Sequence, residues 1–501
     1  MGEVEDYLKK EIIPKLPDVT GLPEDLYLYY FKALHFSLEH LASLRINPDE
    51  LIPAFRRFAD VLDKNFKSNA RITTPLRSFF PSNYEPYRLA DQKIFDLPTP
   101  YPLKYETRFS HTWICAGHGS GKTTLLEDLI EPDLYDVKAG KCAVVVIDSE
   151  GQKELLGRIQ KWKILDEIPY KLIDSTTPMN PFVVGKRRFI NDIEKETFTT
   201  NATEMVHFIF SASNGESGNF TAIQSGLFNR CVELLLALPG ATIQDLLYLL
   251  EKKGGLDRYM QILPYLSDDT QYFFNNIFNS GIYSDTKGQI ITRITGVTNI
   301  PAIKRMLMAP SAIDFYQELS KPQLLLVDTD KVRHHNRGTE IFGRYIISQL
   351  DFASKQRALE ERESRFPVFA YIDECHDYIA NDPTIEHIID HSRKMKMGFT
   401  FAHQRESHIK SAGVLDALRH CNIKFKVGLK DYHFEMWIKG LPPIQVYAPL
   451  VERDKRMPPK QHPRLSTIPP LEGEIVPPSR PTSLDNRALP SPKKWDKDEM
   501  D

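Results

Sequence analysis

The chain is 501 residues long with 41% hydrophobic content, enough for two or three domains with a sizeable core. Its 64 basic and 67 acidic residues leave a formal net charge of −3, which excludes a global field drawing the chain to nucleic acid or an anionic membrane and confines any DNA contact to a local surface. The five scattered cysteines show no Cys-x-x-Cys spacing, against a zinc ribbon and for a reducing compartment.

From Val4 to about Asn69 the apolar residues fall at helical spacing (Tyr27, Tyr30, Phe31, Leu34, Leu38, Leu41), which predicts a helical domain over 1–70. Over 71–106, Pro75, Pro81, Pro86, Pro98, Pro100 and Pro102 predict an extended linker. Short apolar runs then alternate with helical segments, the pattern of a parallel sheet covered on both faces. The expected strands are Thr112–Cys115, Cys142–Asp148, Tyr170–Ile173, Gln323–Asp328, Val368–Asp373, Phe399–Gln404 and Ile423–Leu429. The fold class is thus α/β, a parallel sheet with helices on both faces, split into a first part at 107–194 and a second at 316–440. Between them, 195–315 reads as an inserted all-α domain, with Leu227, Cys231, Leu234, Leu235 and Leu238 on one stripe and a stop at Pro239-Gly240. The proline-crowded tail, 441–501, cannot bury enough apolar surface to offset its ordering entropy and is expected to be largely disordered. No apolar stretch approaches the roughly 20 residues of a bilayer span, and the start MGEVEDYLKK lacks signal-peptide order. A cytoplasmic location is expected, with a peripheral place at the inner face of the membrane as the alternative.

The first motif is Ala116-Gly117-His118-Gly119-Ser120-Gly121-Lys122-Thr123, followed by Thr124. It is a P-loop with alanine in place of the usual first glycine. An apolar strand runs in, the glycines let main-chain N–H groups curve around an anion, and an amphipathic helix runs out through Leu125, Leu126 and Leu129. Lys122 is expected at the β and γ phosphates of ATP and the Thr123 hydroxyl on Mg2+. The plain alternative is a Gly-rich turn before a helix, which the order of strand, loop, lysine, hydroxyl and helix disfavours.

The second motif is the acidic pair Asp373 and Glu374 at the end of the apolar run VFAYI, the edge where such sheets bind ligands. Asp373 is expected to hold Mg2+ and Glu374 to polarise the attacking water. The pair lies 251 residues beyond Lys122, too far for a small GTPase or metabolic kinase. A third strand ends in Gln404, whose amide can orient water or register loss of the γ-phosphate. Arg393 and Arg405 flank that strand as candidates for an arginine acting across a subunit interface, with Arg393 preferred. His387 and His391 stand four apart near Cys375 and His376, and a polar helix face explains them better than zinc.

With these motifs in place the chain resembles the FtsK/HerA superfamily of P-loop ATPases, and most closely its TraG/TraD branch of conjugative coupling, or type IV secretion, ATPases. The likeness spans about 107–440 and includes the turn Asp148-Ser149-Glu150-Gly151, the Asn180-Pro181-Phe182 strand end and the segment LPGATIQDLLYLLE. The resemblance implies a RecA-like sheet, a homo-hexamer, DNA in a central channel, and hydrolysis driving translocation. It assigns Lys122 and Thr123 to nucleotide and Mg2+, Asp373 and Glu374 to Mg2+ and hydrolysis, Gln404 to the sensor and Arg393 to the trans-acting arginine. A soluble helical domain stands where membrane-bound coupling proteins carry transmembrane helices, and no HerA-type N-terminal β-barrel is evident, which leaves the process open. A relaxase, a nuclease or a secretion channel would be the partner in conjugation, in defence or end processing, and in secretion respectively; viral genome packaging is a further reading, and a protein-secretion energiser the alternative from another class.

Overall fold

The computed structural model describes residues 61, 64–65, 67–80, 95–96, 98–151, 154–185, 189, 191–211, 220–251, 254–380 and 384–450. The helical domain expected over 1–70 therefore lies almost wholly outside the described residues, as does the tail beyond 450.

The strands are β1 (Thr73–Pro75), β2 (Pro98–Pro100), β3 (Thr112–Cys115), β4 (Ala143–Asp148), β5 (Tyr170–Ile173), β6 (Gln323–Asp328), β7 (Val368–Ile372), β8 (Met397–His403), β9 (Ile423–Val427), β10 (His433–Ile438) and β11 (Ile444–Tyr447). They form one sheet in the order β2-β1-β11-β10-β9-β3-β8-β7-β4-β6-β5. The block from β9 to β5 is parallel, while β10, β11, β1 and β2 join antiparallel. Strands β4 and β6 are buried at every residue, which is why they read as unbroken apolar runs rather than alternating ones.

Alternate residues of each central strand feed two cores. Val144, Val146, Leu324 and Leu326 pack with Leu125, Leu126 and Ile130 of helix α1 (Lys122–Lys138) on one face. Val145, Ile147, Leu325 and Val327 face the other way. There they meet the helices that fill the chain between β5 and β6: α2 (Asp192–Ser211), α3 (Ala222–Leu236), α4 (Ile243–Glu251), α5 (Asp268–Asn276), α6 (Ser284–Thr298) and α7 (Pro301–Leu307). α3 opens on a capping box in which the Thr221 hydroxyl accepts from Gln224 N–H and the Gln224 side chain accepts from Thr221 N–H. Helix α8 (Lys331–Gln356, interrupted at His335) crosses from β6 towards β7, α9 (Thr384–Ser392) precedes β8, and α10 (Ala412–Arg419) precedes β9. Among the described residues no helix is long and apolar enough to cross a membrane.

Three segments differ from the sequence reading. Residues 73–75 and 98–100, expected as extended linker, pair as β1 and β2, and 444–447, expected as tail, form β11. The Thr74 hydroxyl, buried, donates to Gln445 O at 2.7 Å and ties these pieces together. Pro98 and Pro100 are tolerated because β2 is the sheet edge, where a missing N–H costs no ladder bond.

Candidate functional site

Parallel strands in register bring their carboxyl ends to one line. Cys115 is opposite His403, Phe401 opposite Ile372, Ile372 opposite Ile147, and Asp148 opposite Asp328. The chain leaves β3 there through the loop 116–121. Ala116 is buried and its N–H donates to His403 O at 3.0 Å, so it extends the strand pairing by one residue; a methyl group suffices at that position. Gly119 and Gly121 have φ of 75° and 91°, a left-handed backbone that a side chain would strain. A Cβ built on Gly117 or Gly119 would meet nothing within 4 Å, so open space lies over the loop. His118 is exposed. Ser120 turns inward, its hydroxyl donating to Gly117 O at 2.6 Å. Gly121 then caps α1 without a side-chain acceptor, which leaves the first-turn N–H groups of a 17-residue helix directed at that space.

The Lys122 ammonium lies between both carboxylates of the next motif. It donates to Asp373 Oδ1, and to Glu374 Oε1 at 2.7 Å. Asp373 and Glu374 are 5% and 4% exposed, so the pair is held in a medium where charge matters. Burial alone would lower the Lys122 pKa, but Asp373 and Glu374 raise it to about 12. Burial pushes Asp373 up despite the ammonium, whereas at Glu374 burial is outweighed by the ammonium together with the Gln404 amide and His376, which lowers the pKa. Gln404, just past β8, donates Nε2–H to Glu374 Oε1 at 2.8 Å. Glu374 itself sits at φ 44°, a strained conformation for a glutamate of the kind that collects at working sites. Its other oxygen, Oε2, is buried and accepts no hydrogen bond among the described residues; His376 Nδ1 stands 3.3 Å away.

Residues not singled out for the site by the sequence complete it. Asp148, at the end of β4 and fully buried, is pushed up to about 7 by burial and by Asp373, and accepts the Glu150 N–H at 2.9 Å. The signal for it was available, since an aspartate closes an all-apolar run. His376 and His408 lie with ring centres 4.6 Å apart beside Glu374. Tyr432, from the turn after β9, meets Gly121, and no local pattern announces that contact.

No family model and no curated protein matches the sequence. Among solved structures, the plasmid coupling protein TrwB in complex with the non-hydrolysable ATP analogue ADPNP matches with a TM-score of 0.50 and 12% identity, over 71% of this chain and 89% of that one. This is a P-loop NTPase fold. Unbound TrwBdeltaN70, a bacterial conjugative coupling protein, gives 0.49 at 13% identity over 72% and 89%, and VirB4 of Thermoanaerobacter pseudethanolicus gives 0.44 at 12% over 69% and 90%.

Within this P-loop fold the expected site residues fall into two groups. Lys122 bonds Asp373 and Glu374, and Gln404 joins them through Glu374, with Thr123, half-buried, and Thr124, buried, following Lys122 in the first turn of α1. Arg393 is elsewhere. It is exposed in the turn before β8, so the whole strand Met397–His403 separates it from Gln404, about 20 Å at ~3.3 Å per residue. Arg405 is exposed at the near end, one residue past Gln404.

Proposed function

We propose that the chain is a Mg2+-dependent ATPase whose hydrolysis drives DNA translocation by a ring-shaped motor in conjugative or mobile-element transfer. The observation that carries this is Lys122 held against Asp373 and Glu374 at the mouth of the glycine loop. A cradle with open space above it, helix-start N–H groups that no capping side chain engages among the described residues, and a cation fit a triphosphate. The orphaned Glu374 Oε2 fits a hydrogen-bonded water, and the Thr123 hydroxyl with the Asp373 carboxylate are oxygen donors of the kind Mg2+ takes. Bound there, Mg2+ would neutralise charge on the phosphates.

The chain's own groups supply the remainder. Loop N–H groups and the Lys122 ammonium hold phosphate oxygens, and Glu374, kept ionised by its surroundings, draws a proton from the attacking water. Gln404 fixes the rotamer of Glu374 through its amide. Arg393, too far to serve its own loop, would act on a neighbouring copy in a homo-hexamer. TrwB, seen with an ATP analogue and described as a plasmid coupling protein, supports both the nucleotide and the process.

The near-balanced charge of −3 favours one second reading, an ATPase that energises protein secretion. ATPase rates with and without DNA separate the two: stimulation by DNA that weakens as salt rises is expected for a phosphate-gripping motor, and DNA-independent turnover would overturn it.

A further inference from the structure

The triphosphate site has two sides. Its carboxylates and Gln404 stand at the ends of β7 and β8, on one flank of β3. A triphosphate whose γ end meets them leaves its nucleoside towards the other flank, where β9 pairs with β3. The turn from β9 to β10 rises there and comes back over the loop. Its Tyr432 N–H donates to Ser120 O at 3.1 Å, and Ala448 N–H donates to Tyr432 O at 2.9 Å, so the residue is pinned between the loop and the end of β11. Its φ is 61°, a conformation an aromatic residue adopts only under constraint. The ring lies along Gly121, so closely that a Cβ there would stand 2.5 Å from Tyr432 Cδ1 and 3.1 Å from Cε1. The ring is half-buried, and no hydrogen bond engages its hydroxyl among the described residues.

We propose that the Tyr432 ring is the wall against which the nucleoside base of the bound triphosphate stacks, which makes the β9–β10 turn a base-binding subsite beside the phosphate loop. This rests on the nucleoside-triphosphate reading above. A π-face held rigidly by main-chain bonds needs no ordering on binding, and it takes any base, because every base has a π-face. The strained backbone is then explained by the position it gives the ring.

The test compares equilibrium affinities of the full chain for Mg·ATP and for Mg·tripolyphosphate, the inorganic chain without a base. Tyr432→Asn removes the ring while tolerating the left-handed backbone; Tyr432→Phe keeps the face. The asparagine variant should bind ATP about tenfold or more weakly yet hold tripolyphosphate within about twofold of wild type, and the phenylalanine variant should match wild type for both. Equal loss for both ligands would show a prop for the loop and overturn the proposal, as would unchanged ATP affinity, or a phenylalanine variant as weak as the asparagine one. Wild type binding neither ligand would remove the triphosphate reading and this inference together; wild type binding both while the variants fail the pattern removes this one alone.

Discussion

Lys122 cannot serve phosphates and both carboxylates at once with the same three N–H bonds, so nucleotide entry must redistribute them. Glu374→Gln should keep ATP affinity and lower turnover by at least about 100-fold, the scale of a lost general base; steady-state hydrolysis beside equilibrium binding checks it, and unchanged turnover would remove the assignment. A second residue sets an acid limit. The His403 Nε2 accepts from Trp113 Nε1 at 2.8 Å and its Nδ1–H donates to Arg405 O at 3.0 Å, so the neutral ring is fully used and a proton on Nε2 would face another donor. Burial lowers its pKa from 6.5 to about 4. The unfolded chain takes up that proton first, so this contribution is complete above pH 6.5 and is lost as pH falls towards 4, by up to about 3 kcal/mol. Urea unfolding across that range should show the wild type losing stability relative to His403→Gln as acid is added. At this scale the sequence was most legible where chemistry is contiguous. The phosphate loop and the Asp373-Glu374 pair announce themselves; the Glu374 backbone strain and the Tyr432–Gly121 contact arise only when distant segments meet.

Besides the Lys122 contacts, a second buried ion pair fastens helix α1. Arg108 donates to Asp133 at 2.7 Å, lies over the Phe369 ring at 3.6 Å and donates to the Tyr371 hydroxyl at 2.8 Å. Asp133 is 1% exposed, so Arg108→Ala leaves a buried carboxylate without its cation. We expect a loss of about 3–5 kcal/mol in denaturant unfolding, largely recovered when Asp133 is also replaced by leucine. The same segment crosses β8 at Gly398, where a Cβ would come within 2.7 Å of Arg108 O. Backbone cannot swing aside as a side chain can, so Gly398→Ala should cost about 1–3 kcal/mol by thermal melting. The parallel strands were readable because burial on both faces leaves an unbroken apolar run, as in AVVVID and QLLLVD. The antiparallel extension was not. β10 sets buried residues against half-buried or exposed ones in HFEMWI and so offers no unbroken apolar run, and β1 and β2 carry prolines that read as linker, those of β2 being excused only by its edge position.

On the proposed homo-hexamer reading, position 393 is what one copy would lend to another. Arg393→Ala should retain ATP binding while turnover drops by about 1,000-fold, the lower bound for an arginine that stabilises transferring phosphate. Mixing it with Lys122→Ala protein should restore part of the rate, since each copy then supplies what the other lacks; no recovery in the mixture would end the trans assignment. The length of β8 carries a plainer implication. No side-chain rotation spans a seven-residue strand, so on that reading a solitary copy would grip its nucleotide without the Arg393 guanidinium beside it. Thinning a solution of the native chain until its copies part company should therefore mimic the alanine substitution, with bound ATP left unspent.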